Sequence, residues 1–123
     1  MTVLLVALLG GLGAATRFVV DGEIRARVPQ RLPLSTMVVN VSGSLLLGAL
    51  VAAHVHGLVP DVLLVAAGTG FCGGYTTFST AMIESVRLLQ AGAYGRAAVA
   101  TVGTLVLAVG AASAGYAVVS ALA

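Results

Sequence analysis

From Val62 to Ile83 the chain carries no acid or base, a length that crosses a bilayer. Within it, the run from Gly68 to Thr80 packs four glycines and five Ser/Thr hydroxyls into thirteen residues. No other stretch constrains the fold as much. Hydrocarbon offers no water to stray N–H and C=O groups, so a spanning segment must satisfy its own backbone. A run this rich in glycine is expected to leave the helical path near the bilayer centre. Such a departure is tolerated only where protein buries it or where it lines a polar cavity. The expectation is an ion site inside a membrane protein.

The remaining sequence fits that setting. Of 123 residues, 59% are hydrophobic and 8% charged, and there is no Lys. Soluble domains average about 25% charged residues. A bilayer core takes roughly 20 apolar residues per helix, and four windows qualify: 2–20, 34–56, 61–86 and 96–122. They consume nearly the whole chain as one four-helix domain over 1–123, all-α and integral to the membrane. The second window opens after Pro33, which suits a helix start. No basic stretch precedes the first, so a cleaved leader is not expected. The single Cys72 excludes an internal disulfide. The pI near 9.2 reflects arginines at membrane borders rather than basic runs with interleaved aromatics, so no nucleic-acid partner is implied.

All six arginines fall on one side of a four-span chain: Arg17, Arg25, Arg27 and Arg31 around the first connection, Arg87 and Arg96 around the third. The positive-inside rule puts that side in the cytoplasm and both termini outside, in a multi-pass plasma-membrane protein. Asp21 and Glu23 weigh little in that rule.

Small and polar residues recur along the spans. Thr36, Asn40, Ser44, Gly48 and Ala52 form a stripe on span two. Thr101, Thr104, Ala108, Ala111 and Gly115 form another on span four, and Gly10, Gly11, Gly13 and Ala14 thin span one. Helix packing accounts for most of these positions. Asn40 stands apart, because a carboxamide in mid-membrane is costly unless partnered. Gly68-x-Gly70-x-x-Gly73 matches the dinucleotide fingerprint literally but lacks the strand, the βαβ unit and the later acid. His54 and His56 read as interfacial residues rather than metal ligands. No nucleophile–base arrangement supports an enzyme.

Spans one, two and four have no interior carboxylate, which disfavours a proton-coupled exporter. The interior instead offers neutral donors at Thr36, Asn40, Ser44, Thr77, Ser79, Thr80 and Thr104, with the positive ring edges of Tyr75 and Phe78. These suit a small, hard anion. Exposed carbonyls at 73–76 would suit a small, hard cation. The residues do not choose among anions.

The blocks Gly10-Gly11-x-Gly13-Ala14-x-x-Arg17, Thr36-x-x-x-Asn40-x-x-Gly43-Ser44 and Gly70-Phe71-Cys72-Gly73-Gly74-Tyr75-Thr76-Thr77-Phe78-Ser79-Thr80 with Glu84 resemble the fluoride channel family known as Fluc or CrcB. The resemblance runs nearly end to end. It implies passive, fluoride-selective efflux from the cytoplasm through an antiparallel dimer of four-helix subunits, with the third helix broken mid-membrane. It implies that Asn40 and Phe78 line the fluoride path, with Thr80, Thr104 and Thr36 nearby. The Gly73 and Thr76 carbonyls would hold a structural Na⁺ at the dimer centre. Arg17 and Glu84 would be structural or vestibule residues.

Two departures stand out. Ala81 occupies the place of the family's second pore Phe, and Ala100 and Ala108 stand where hydroxyls are common. Together with the one-sided arginines, they imply one half of an antiparallel heterodimer, favoured over self-pairing. A non-conducting assembly subunit is the alternative. A small multidrug or cation exporter is disfavoured, because it would need a carboxylate in span one.

Overall fold

The computed structural model describes residues 1–123 as helices joined by short turns. Four helical segments are long and apolar enough to cross a membrane: Thr2–Arg27, Leu34–Val55, Asp61–Gln90 and Tyr94–Leu122. The first two are single helices, α1 (Thr2–Arg27) and α2 (Leu34–Val55). The third comprises α3 (Asp61–Leu64), a π-wound stretch Val65–Cys72, α4 (Gly73–Tyr75) and α5 (Ser79–Gln90). The fourth comprises α6 (Tyr94–Ala98), a π-wound stretch Val99–Gly103 and α7 (Thr104–Leu122).

The helices outrun some of the apolar windows. α1 continues to Arg27, past the expected limit of residue 20. Pairs four residues apart carry it outward: Arg25 Nε meets Asp21 Oδ2 at 2.9 Å, and Arg27 Nη2 meets Glu23 Oε2 at 3.0 Å. Such pairs favour helix without any apolar burial. At the far end of the third segment, Gly92 takes φ 73° and lets the chain turn into α6.

Two parallel helix pairs make the body, each closed by glycines. In one, α2 lies along α7 with Gly48 opposite Ala112 and His56 opposite Ser120. A Cβ on Gly48 would strike the Ala112 carbonyl, and one on Gly115 would strike the Leu45 carbonyl. In the other, α1 lies along the third segment. There a Cβ on Gly13 would strike the Phe71 carbonyl, and one on Gly74 the Gly10 carbonyl. Without a hydrophobic drive between lipid-exposed helices, backbone contact of this kind supplies the packing energy. Gly43 joins the pairs, since a Cβ there would meet the Thr76 methyl and the Tyr75 ring.

This parallel pairing gathers the charged connections at one end. Arg25 Nη2 reaches Glu84 Oε1 at 2.8 Å, and Arg96 Nη1 donates to the Arg31 carbonyl at 3.3 Å. The opposite end holds the His54–Asp61 contact, at 3.4 Å. Large apolar side chains such as Leu8, Phe18, Val102 and Leu105 stay exposed on the outer faces, as lipid or another helix would require.

Candidate functional site: an uncharged groove beside a carboxamide clasp

α4 ends at Tyr75, and Thr76 turns out of the helix at φ −79°, ψ 162°. The chain re-enters helix at Ser79. Leaving the helix frees backbone groups that must be paired elsewhere. Asn40 on α2 pairs those of Thr77: its Nδ2 donates to the Thr77 carbonyl at 2.8 Å, and its Oδ1 accepts the Thr77 N–H at 2.8 Å. Arg17 pairs the preceding carbonyl, donating from Nη1 to Thr76 O at 2.9 Å. Thr77 Oγ1 accepts the Thr80 N–H at 3.3 Å, capping the start of α5. The Tyr75 hydroxyl lies 2.9 Å from Ser42 Oγ, anchoring the last turn before the departure.

On one side of the clasp lies a groove of about 510 Å³ between α2 and the third and fourth segments. Asn40, Ser44, Thr77, Phe78, Ala81 and Thr104 line it, and no charged residue does. The Phe78 ring is 79% exposed, projecting where the chain re-enters helix. A smaller hollow of about 260 Å³ lies on the other side, lined by Arg17, Thr36, Thr77 and Thr80. The expected pathway residues therefore divide. Asn40, Phe78 and Thr104 share the large groove, while Thr36 and Thr80 face the Arg17 side.

Hydroxyl protons in the large groove are already directed inside the chain. Ser44 donates to the Asn40 carbonyl, Thr76 to the Cys72 carbonyl and Thr104 to the Ala100 carbonyl. Thr77 donates to Thr80 Oγ1, and Thr101 to Ser85 Oγ. An amide nitrogen carries two hydrogens. Asn40 uses one on Thr77, so its second N–H is an uncommitted amide donor beside the groove.

Glu84 closes the arginine end of the site. Its Oε1 accepts from Arg25 at 2.8 Å and from the Thr36 hydroxyl at 3.0 Å, tying α1, α2 and α5 together. Its Oε2 is buried without a partner. Sequence reasoning did not single out Ser42, Ser85 or the Arg25–Glu84 pair. Ser85 donates to the Ala81 carbonyl and accepts from Thr101, linking α5 to the fourth segment. The only sequence signal for Ser85 was a small polar residue in an apolar window.

Comparison with known proteins identifies the family. Residues 4–116 match the family model described as "CrcB-like protein, Camphor Resistance (CrcB)". A protein of Leifsonia xyli named "Fluoride-specific ion channel FluC 1" is 50% identical over 94% of this chain and 84% of its own length. "Fluoride-specific ion channel FluC 2" of Cutibacterium acnes is 52% identical over 71% of this chain and 72% of its own. "Fluoride-specific ion channel FluC 1" of Nocardia farcinica is 48% identical over 79% of this chain and 66% of its own. With a family match spanning nearly its whole length, the chain belongs to the CrcB family.

Proposed function

We propose that this protein forms a fluoride-selective channel that releases fluoride passively from the cytoplasm across the plasma membrane. The observation that carries the reading is the uncharged groove in which Asn40, Phe78 and Thr104 meet, in a relative of proteins named fluoride-specific channels. Fluoride accepts short hydrogen bonds, and the second Asn40 N–H points to such an ion. Hydroxyls of Thr104 and Ser44 can rotate from their carbonyls to add donors. The exposed Phe78 edge offers partial positive charge without a full cation. The departure of the chain at Thr76 lies halfway along the third segment, hence near the bilayer centre. Fluoride enters as neutral HF and is trapped as the anion, so an anion leak driven by the membrane potential clears it without ATP.

The path is completed by a second subunit inserted the other way. Phe78 projects from a single chain, and the first and fourth segments have only 6% of their most apolar stretch buried. Arg25, Arg27, Arg31, Arg87 and Arg96 at one end favour one orientation, with that end cytoplasmic and the termini outside. The partner then carries the opposite bias and supplies the aromatic missing at Ala81. A chain that serves only to assemble such a channel is the second reading, and Ala81 is what favours it.

A structural Na⁺ at the dimer centre fits in part. Thr77 gives its N–H to Asn40, and neither it nor Phe78 donates back to the Gly73 carbonyl, which sits at an exposed position. The Thr76 carbonyl already accepts from Arg17, leaving one lone pair. Gly73 and Thr76 would hold the ion with the matching pair of the second subunit, and the ion would fix the crossing of the two chains.

The function is tested with Phe78→Ile in reconstituted protein. Fluoride flux is expected to fall at least about tenfold, a barrier change of about 1.4 kcal/mol, with the elution profile unchanged. Unaltered flux would remove Phe78 from the path. Orientation is tested in a Cys72→Ala background with Leu58→Cys and Ala91→Cys. An impermeant maleimide should label Leu58→Cys in intact cells and Ala91→Cys only after permeabilisation. Labelling of both from outside contradicts a fixed orientation.

A further inference from the structure

The arginine end carries a second groove, of about 460 Å³, separate from the uncharged one. Arg25, Arg31 and Arg87 line it, from the end of α1, the following connection and α5. Arg25 is committed to Asp21 and Glu84, but neither Arg31 nor Arg87 has a carboxylate partner. Arg96 adds to the local field through its bond to the Arg31 carbonyl. Glu84 is the only acid in the lining, and its Oε1 is already held by Arg25 and Thr36. The groove therefore presents net positive charge and unused guanidinium donors, the geometry that takes phosphate oxygens.

The groove is also amphipathic. Ile83 and Leu88 form its apolar wall, and Ile83 is 53% exposed. Val86 and Leu89 extend the exposed apolar surface of α5 from Ile83 toward the arginine end. A free inorganic ion has no use for that wall. An amphiphile lying at the membrane border uses both parts, with its phosphate among the arginines and its acyl chains along α5. Basic pockets between spans at the membrane surface take anionic headgroups in this way.

We infer that the Arg25–Arg31–Arg87 groove binds the phosphate headgroup of an anionic phospholipid, with the acyl chains lying against Ile83 and Leu88. The site depends on the membrane setting and not on which ion the uncharged groove conducts. An anionic lipid seated here would sit beside Thr80, which lines both this groove and the hollow below Arg17. It would thus stand at the mouth of the site.

Native mass spectrometry of the detergent-solubilised protein tests the inference, using phosphatidylglycerol and phosphatidylcholine as probes. Phosphatidylglycerol adducts should persist at collision energies that strip phosphatidylcholine. Arg31→Gln and Arg87→Gln should each weaken phosphatidylglycerol retention about fivefold. Both remove unpaired guanidinium groups, so folding is monitored by elution volume alone. Ile83→Ser should weaken retention of the lipid without changing its headgroup preference. Equal retention of both lipids, or retention unaffected by either arginine variant, overturns the inference. Displacement of the lipid by millimolar inorganic phosphate would also overturn it, assigning the groove to a free anion instead.

Discussion

Asn40 and Thr77, thirty-seven residues apart, are joined at two points: the carboxamide both donates to and accepts from the Thr77 main chain at 2.8 Å. The clasp stands in for the helical bonds lost where the chain departs at Thr76. A side chain expected to face an ion is thus first a structural partner, and it reaches the uncharged groove with what remains.

Replacing Asn40 by Ala leaves the Thr77 N–H and C=O unpaired, at a cost of about 1–3 kcal/mol for each group kept from water. Thermal stability in detergent should drop by several degrees and flux should vanish. An Asn40→Ala protein as stable as the parent would show that the clasp contributes nothing.

Glycine positions separate contact from conformational preference. Gly48→Ala drives a methyl into the Ala112 carbonyl and should destabilise by about 1–3 kcal/mol. Gly110→Ala meets open space, and its helix should gain about 0.5–1 kcal/mol from the better helix former. Melting curves of the two variants should therefore move in opposite directions. Shifts of the same sign would contradict the assigned α2–α7 register.

Much of this packing is legible in the residue pattern. Gly10, Gly13, Gly48 and Gly115 announce close helix approach because small residues in apolar spans have few other uses. Asn40 announces a partner because an unpaired carboxamide in hydrocarbon is costly. What is not legible depends on which residues meet across the bundle. Arg17 looks like a border residue, yet its guanidinium reaches Thr76, halfway along the third segment. Thr104 looks like a free donor, yet its hydroxyl bonds back to Ala100. The π-wound stretch Val99–Gly103 adds to this. Its extra residue per turn rotates α7 relative to α6. A regular small-residue stripe thereby sends Thr101 to Ser85 while Gly115 packs on α2.

Ala81 lines the uncharged groove, where the sequence resemblance implies a second aromatic ring. In protein purified without any partner, Ala81→Phe should raise fluoride flux at least about tenfold, equivalent to about 1.4 kcal/mol in barrier. Elution volume should not change, since the groove has room for the ring. Flux that is unchanged or lower would show that the missing aromatic is not what limits a self-paired channel.

The most direct test is fluoride efflux, read by an ion-selective electrode. The chain is tagged, purified from its source membrane with whatever it assembles with, and reconstituted into liposomes. The account predicts rapid fluoride release while chloride stays trapped. Intact protein that releases no fluoride, or that releases chloride equally fast, would contradict it.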